Sequence, residues 1–281
     1  MRALFLIPGD GVTQLQTLPA VAATANQLGF QIQVACAPEL APIWKLLPAV
    51  EKVIPFNFTA ASMADWANLL GSVREPDFQL CINLAGGLPV NLMLAMSHIP
   101  NRIASAGFAA TDTVTVAGGG WPAQALAAYL RPVGVNLDAA AFRLKLPAAA
   151  LAEATAELPA GDGPLLLLAP AGGQNDWPEA NWQALPERIR QRLSSVRVLP
   201  LPPASSPAGI KRRAALVAAA DVVLASDPIS CELALLCGVP LVAIGRDGAS
   251  LPQRDGVKGL MLVPGSGDPS SDTVLAALGL A

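Results

Sequence analysis

Short apolar runs, each followed by a helix-length stretch, recur along the whole chain. This alternation limits the fold more than any other feature. In the first half the runs are ALFLI (3–7), QIQVAC (31–36), KVIPF (52–56), FQLCIN (78–83) and NRIASAG (101–107). Between them lie QLQTLPAVAATANQLG (14–29), in which Pro19 is expected to kink a helix that Gly29 closes, the short APIWKLLPAV, ASMADWANLLGSV (61–73) and VNLMLAMS. WPAQALAAYLRPVGV is expected as one further helix. The second half repeats the pattern. LLLLAP (165–170), VRVLPL (196–201), DVVLAS (221–226) and PLVAIG (240–245) alternate with helical segments, and SDTVLAALGL closes the chain. Strands that alternate with helices predict parallel, doubly wound α/β sheets. Two such domains are expected, 1–145 and 165–281, joined by the Ala-rich, Pro/Gly-terminated linker 146–164 and facing across a cleft. Ligands in such folds sit at the carboxyl ends of the strands, which singles out the loops 8–13, 84–90, 170–176 and 226–231.

Composition removes several classes of function. Net charge is −3, so no basic field draws the chain to nucleic acid. The basic segments ERIRQRL (187–193) and IKRRAAL (210–216) read as solvated helix faces. Hydrophobic residues make up 53% and charged residues 14%, and mean hydropathy is +0.47. Yet no apolar run approaches the ~18 residues that span a bilayer. The apolar start MRALFLIPGD is too short for a signal peptide. The expectation is a cytoplasmic protein with sticky surfaces, peripheral to the inner face of a membrane or bound to a protein partner. Cys36, Cys81, Cys231 and Cys237 form no CxxC and read as buried, reduced thiols. The single histidine, His98, excludes a three-histidine metal site and reads as a structural residue at a helix end. No DxD pair and no P-loop signature is present.

Two stretches carry candidate chemistry. In PGDGVTQLQTLPAV (8–21) Asp10 stands between Gly9 and Gly11 at the end of the first strand. Three readings are open: a degenerate dinucleotide fingerprint, with Glu39 as the ribose acid; a helix cap; or a general base on a hydroxyl. In SDPISCELALLCGVPLVAIG (226–245) a helix opens near Ser230 just after Asp227. Free N–H groups at such a helix start suit a phosphate, whereas ordinary capping needs only Asp227 or Ser230. The glycines of APAGGQND let backbone approach a ligand, or simply make a turn.

The two stretches, with WPEANWQAL (177–185), resemble in order the ADP-heptose:lipopolysaccharide heptosyltransferases, glycosyltransferase family 9. The resemblance implies a GT-B fold of two Rossmann-like domains. It also implies lipopolysaccharide-type glycan synthesis without a metal or cofactor, the nucleotide-sugar serving as co-substrate. Asp10 matches the family's base on the acceptor, a glycan or lipid. Gly11, Gly172, Gly173, Gln174, Asn175, Asp227, Ser230 and Glu232 fall at donor-binding positions. The chain departs from the family there. Asn175 and Asp176 replace a cation before Trp177, Pro228-Ile229 replaces threonine-glycine, and Glu232 replaces a histidine. Hence the alternative of a catalytically inactive relative acting as a binding or assembly factor.

Overall fold

The computed structural model describes residues 1–74, 77–204, 206–262 and 268–280. It divides into two compact units. The first holds residues 1–118 and 122–139, and the second holds 119–121 and 140–281.

In the first unit, β1 (Arg2–Leu6), α1 (Gly11–Leu28), β2 (Gln31–Cys36), α2 (Ala41–Trp44), β3 (Val50–Pro55), α3 (Met63–Arg74), β4 (Phe78–Asn83), α4 (Leu88–Met96), β5 (Asn101–Ala104) and β6 (Asp112–Thr113) follow one another. The strands form one parallel sheet in the order β3-β2-β1-β4-β5-β6. Both faces are covered, so β1 is apolar without alternation: residues 3 to 7 are all wholly buried. Leu4 and Leu6 pack toward Leu69 and Val73 of α3 and Met93 of α4. Pro19 does not interrupt α1, which runs on to Gly29 in the left-handed conformation.

The expected helix across 121–135 is broken. It becomes α5 (Pro122–Ala125), α6 (Ala127–Leu130) and a single 3-10 turn at Arg131–Val133. Pro132, which has no N–H, and Gly134 at φ 72° account for the ending. Strand β6 escapes sequence reading because it is two polar residues long.

The second unit contains α7 (Ala148–Ala156), β7 (Leu165–Ala169), α8 (Glu179–Arg192), β8 (Arg197–Pro200), α9 (Ile210–Ala218), β9 (Val222–Ala225), α10 (Pro228–Cys237), β10 (Leu241–Ile244), β11 (Val257–Leu260) and α11 (Ser271–Ala277). Its parallel sheet has the order β11-β10-β9-β7-β8. The segment 146–164, expected as a linker, holds α7, which packs on α9 as part of this unit. Alanine runs lack the bulk that marks a core helix, yet Ala150 and Ala154 are buried one turn apart. Edge strand β8 donates from Arg197 to Pro164, and Leu201 beyond it donates to Leu168. Even-numbered residues therefore face the open edge, where Pro200 offers no N–H to a stray strand.

Candidate functional site

Each sheet has one place where the chain reverses its direction of winding, and there the loops after two neighbouring strands diverge and leave a crevice. In the first unit it falls between β1 and β4, in the second between β7 and β9.

At the first crevice the chain leaves β1 through Pro8 and Gly9. Gly9 has φ 99° and sits so close to Thr13 that a Cβ would come within 2.9 Å of its Oγ1. Only glycine fits there, and the turn places Asp10 at the N-cap of α1. The Asp10 carboxylate accepts from the Thr13 amide at 2.9 Å and from the Thr13 hydroxyl at 3.0 Å. The cap reading of Asp10 is therefore realised, and the side chain is also exposed, so one carboxylate edge remains open to a ligand. Behind it Gln14 is fully buried. Its amide donates to the Ile7 carbonyl at 3.1 Å and accepts from the Trp44 indole at 3.0 Å. Gln14 thereby fixes the end of β1 against α1 and α2, a role that a sequence with only its position in view does not reveal. Gly11 is the first residue of α1, in a different unit from every other residue expected on the donor side.

At the second crevice the loops after β7 and β9 are tied together, the Ala171 amide donating to Ser226 Oγ at 2.8 Å. Gly172 and Gly173 both take positive φ, 74° and 92°. Gln174 and Asn175 are exposed on the same loop. The loop is closed by Asp176, whose two oxygens accept from the amides of Gly172 (2.8 Å) and Trp177 (2.7 Å). The Gly172 N–H expected to meet a ligand thus already holds a carboxylate. Trp177 is buried in the core edge-on to Trp182, with its indole donating to the Pro269 carbonyl. The tryptophan-proline pair is thus a packing element that fixes where α8 begins.

Asp227 caps α10. It accepts from the Ser230 amide at 2.8 Å and from the Ser230 hydroxyl at 2.6 Å. Arg213 reaches the same pair, 2.7 Å from Ser230 Oγ and 3.5 Å from Asp227. It is also bonded to the Pro202 carbonyl. This corrects the reading of 210–216 as a solvated face. The Arg213 side chain is 13% exposed, and burial pulls its pKa down while the Asp227 charge opposes the shift. Arg212 on the same helix is exposed and pairs with Glu157.

Glu232 lies one turn further along α10 and is completely buried. One of its oxygens accepts from both terminal nitrogens of Arg246 at 3.2 Å, and the other from the Trp121 indole at 3.0 Å. Sequence reasoning missed both partners, which are 14 and 111 residues away. A lone arginine after a strand and a tryptophan among glycines carry no local signal. The carboxylate at 232 therefore sits inside a charged network, in the place where the resemblance implies a histidine.

No family model and no curated protein sequence matches the chain. Solved structures do. Escherichia coli ADP-heptose lipopolysaccharide heptosyltransferase II aligns with a TM-score of 0.75 at 15% identity, over 99% of this chain and 98% of that one. A family 9 glycosyl transferase from Veillonella parvula gives 0.74 at 13% identity, over 99% and 96%. Escherichia coli heptosyltransferase WaaC, solved with ADP-2-deoxy-2-fluoro heptose, gives 0.69 at 16% identity, over 99% of both chains. The fold is that of the family 9 heptosyltransferases. At this identity the likeness speaks for the architecture, which is the α/β, GT-B-like one expected. The side-chain networks described above belong to this chain. Among the described residues no helix is long and apolar enough to cross a membrane.

Proposed function

We propose that the protein is a glycosyltransferase that moves a sugar from a nucleotide-sugar to a hydroxyl of a glycan or lipid acceptor, without a metal. The observation that carries this reading is the exposed Asp10 carboxylate, held by Thr13 at the mouth of the β1/β4 crevice, in a fold shared with enzymes solved with ADP or an ADP-sugar. Asp10 takes the acceptor proton as the hydroxyl oxygen attacks the sugar carbon. The nucleoside diphosphate leaves from the β7/β9 crevice, at the exposed glycine loop and the N-terminal end of α10.

The test separates capping from chemistry. Asparagine caps a helix as well as aspartate does, so Asp10→Asn should melt with the wild type yet lose transfer activity. Full turnover in that variant sinks the role of Asp10. The donor class follows from a thermal-shift screen of ADP, UDP, GDP, CDP and their sugar conjugates. A ligand at 100 times its dissociation constant adds about 2.7 kcal/mol of stability.

A second reading, an inactive relative that binds a partner, is favoured by one specific observation. The donors at the second crevice are already met by the chain's own carboxylates, Asp176 on the loop and Asp227 on α10. A diphosphate has to displace Asp176 and bear its charge. Asp176→Ala removes both obstacles and should tighten nucleotide binding about tenfold, a change of about 1.4 kcal/mol. A flat nucleotide screen for the wild type and for this variant alike favours the binding protein.

A further inference from the structure

The C-terminal end of α10 carries two arginines, at the amino edge of the second sheet and away from its crevice. α10 has 10 residues, so this end lies about 15 Å along the helix from Asp227. The Leu144 amide donates to the Leu236 carbonyl at 2.8 Å, which sets Arg143 beside the helix end. Gly238, the C-cap, has φ 80°. The Arg143 side chain lies directly on it: a Cβ at 238 would come within 2.3 Å of Arg143 Nε. Arg254, on the turn between β10 and β11, donates from Nη1 to the Leu235 carbonyl at 3.2 Å. Two guanidiniums thus meet the same turn of one helix.

Each has donors left over. Arg143 Nη1 donates to the carbonyls of Ala140 and Phe142, both at 2.7 Å. Its Nε and Nη2 meet no acceptor among the described residues. Arg254 Nη2 is buried and has no partner there either. Among the described residues no carboxylate pairs with Arg143 or Arg254. Asp255, next to Arg254 in the chain, is exposed. Burial lowers the Arg254 pKa, and the charge of Arg143 lowers it further.

A cation at a helix C-terminus is ordinary, and that accounts for the bond to Leu235. It does not account for a second cation that repels the first, or for the idle Nη2. Buried donors are nearly always satisfied, and an exception points to a bound water or ion. A water answers the hydrogen bond and leaves both charges. An oxyanion answers both, because guanidinium donors match its oxygens in pairs.

We propose that Arg143 and Arg254 form a site for a phosphate monoester, which bridges the two guanidiniums and gives one oxygen to Arg254 Nη2. Such a phosphate carries nearly two negative charges at neutral pH, which matches two arginines, whereas a carboxylate or chloride matches one. Arg143 is exposed and gives the anion its way in. The proposal does not depend on the glycosyltransferase reading, because neither Asp10 nor a crevice takes part.

Inorganic phosphate and glycerol phosphate, titrated by calorimetry at an ionic strength fixed with chloride, should bind saturably at one site. Arg143→Gln and Arg254→Gln should each weaken that binding at least about tenfold, with the melting temperature in chloride retained. Arg254→Lys keeps the charge and can still reach the Leu235 carbonyl, but it lacks Nη2 and should bind as weakly as Arg254→Gln. Phosphatidylcholine vesicles with and without phosphatidate separate the sources. Cosedimentation that needs phosphatidate and is lost in Arg143→Gln makes the ligand a lipid head group. Binding of glycerol phosphate without cosedimentation makes it a soluble ester. Phosphate binding that survives the Arg143→Gln/Arg254→Gln double variant lies elsewhere and overturns the proposal. So does wild-type affinity in Arg254→Lys, or the absence of binding to phosphate, glycerol phosphate and phosphatidate alike.

Discussion

Asp10 and Asp227 occupy the same structural position, the N-cap of the helix that follows a parallel strand, and their surroundings separate them. Asp10 is exposed and, among the described residues, bonded only within its own turn. Asp227 is 4% exposed and shares Ser230 with a largely buried guanidinium. Asp10→Ala removes one cap, and urea unfolding should register a loss of about 1 kcal/mol. Asp227→Ala also strands the Arg213 charge, and the expected loss is about 3–5 kcal/mol. Equal losses would mean that Arg213 finds another partner or water, and that the Asp227 network does not hold α10. The two residues were equally legible as motifs, since each follows an apolar run and precedes a helix start. Their environments were not, because the partner that distinguishes Asp227 is Arg213, 14 residues away, which announces nothing locally.

At the level of elements, apolar runs and glycine stops located most of the strands and helices, because a buried parallel strand needs a continuous apolar run. The misses have definite causes. Alanine hid α7, two polar residues hid β6, and Pro132 with Gly134 split an expected helix. Proline within a helix is the reverse case. Pro186 lies inside α8 without ending it, because Trp182, Leu185 and Ile189 anchor the helix on β7 from both sides of it. That anchoring overrides the missing N–H, whose partner would be the Trp182 carbonyl. Pro186→Ala supplies it where the backbone is already helical. The unfolded chain becomes more flexible, which offsets part of the gain. A net stabilisation of about 1–2 kcal/mol is expected, read as a higher melting temperature. A lower one would show that the ring itself packs against its neighbours Trp182 and Pro200 along the β8 edge.

For the whole molecule, low charge and high hydrophobicity are used mainly to cover the faces of two parallel sheets, and the four thiols report on that cover. Cys36 and Cys81 are in the first unit, Cys231 and Cys237 in the second, and all are unpaired. Burial is the main cause that raises every one of them: Cys36 to about 11, Cys231 and Cys237 to about 12, and Cys81 in the same direction. An unfolded thiol titrates near 8.5. Above that pH the unfolded chain loses protons that the folded chain keeps, so the contribution to stability is full below about 8.5 and is lost as pH rises toward the folded values. Each thiol adds at most about 1.4 kcal/mol per pH unit to the slope. The urea midpoint should therefore fall between about pH 8 and pH 10, and Cys231→Ala should shallow the fall. At the lower pH a thiol reagent should label no cysteine of the folded protein quickly and all four once urea is added. Rapid labelling of Cys81 or Cys231 in the folded protein would mean that the sheet face above it opens and that the core of that unit is not closed.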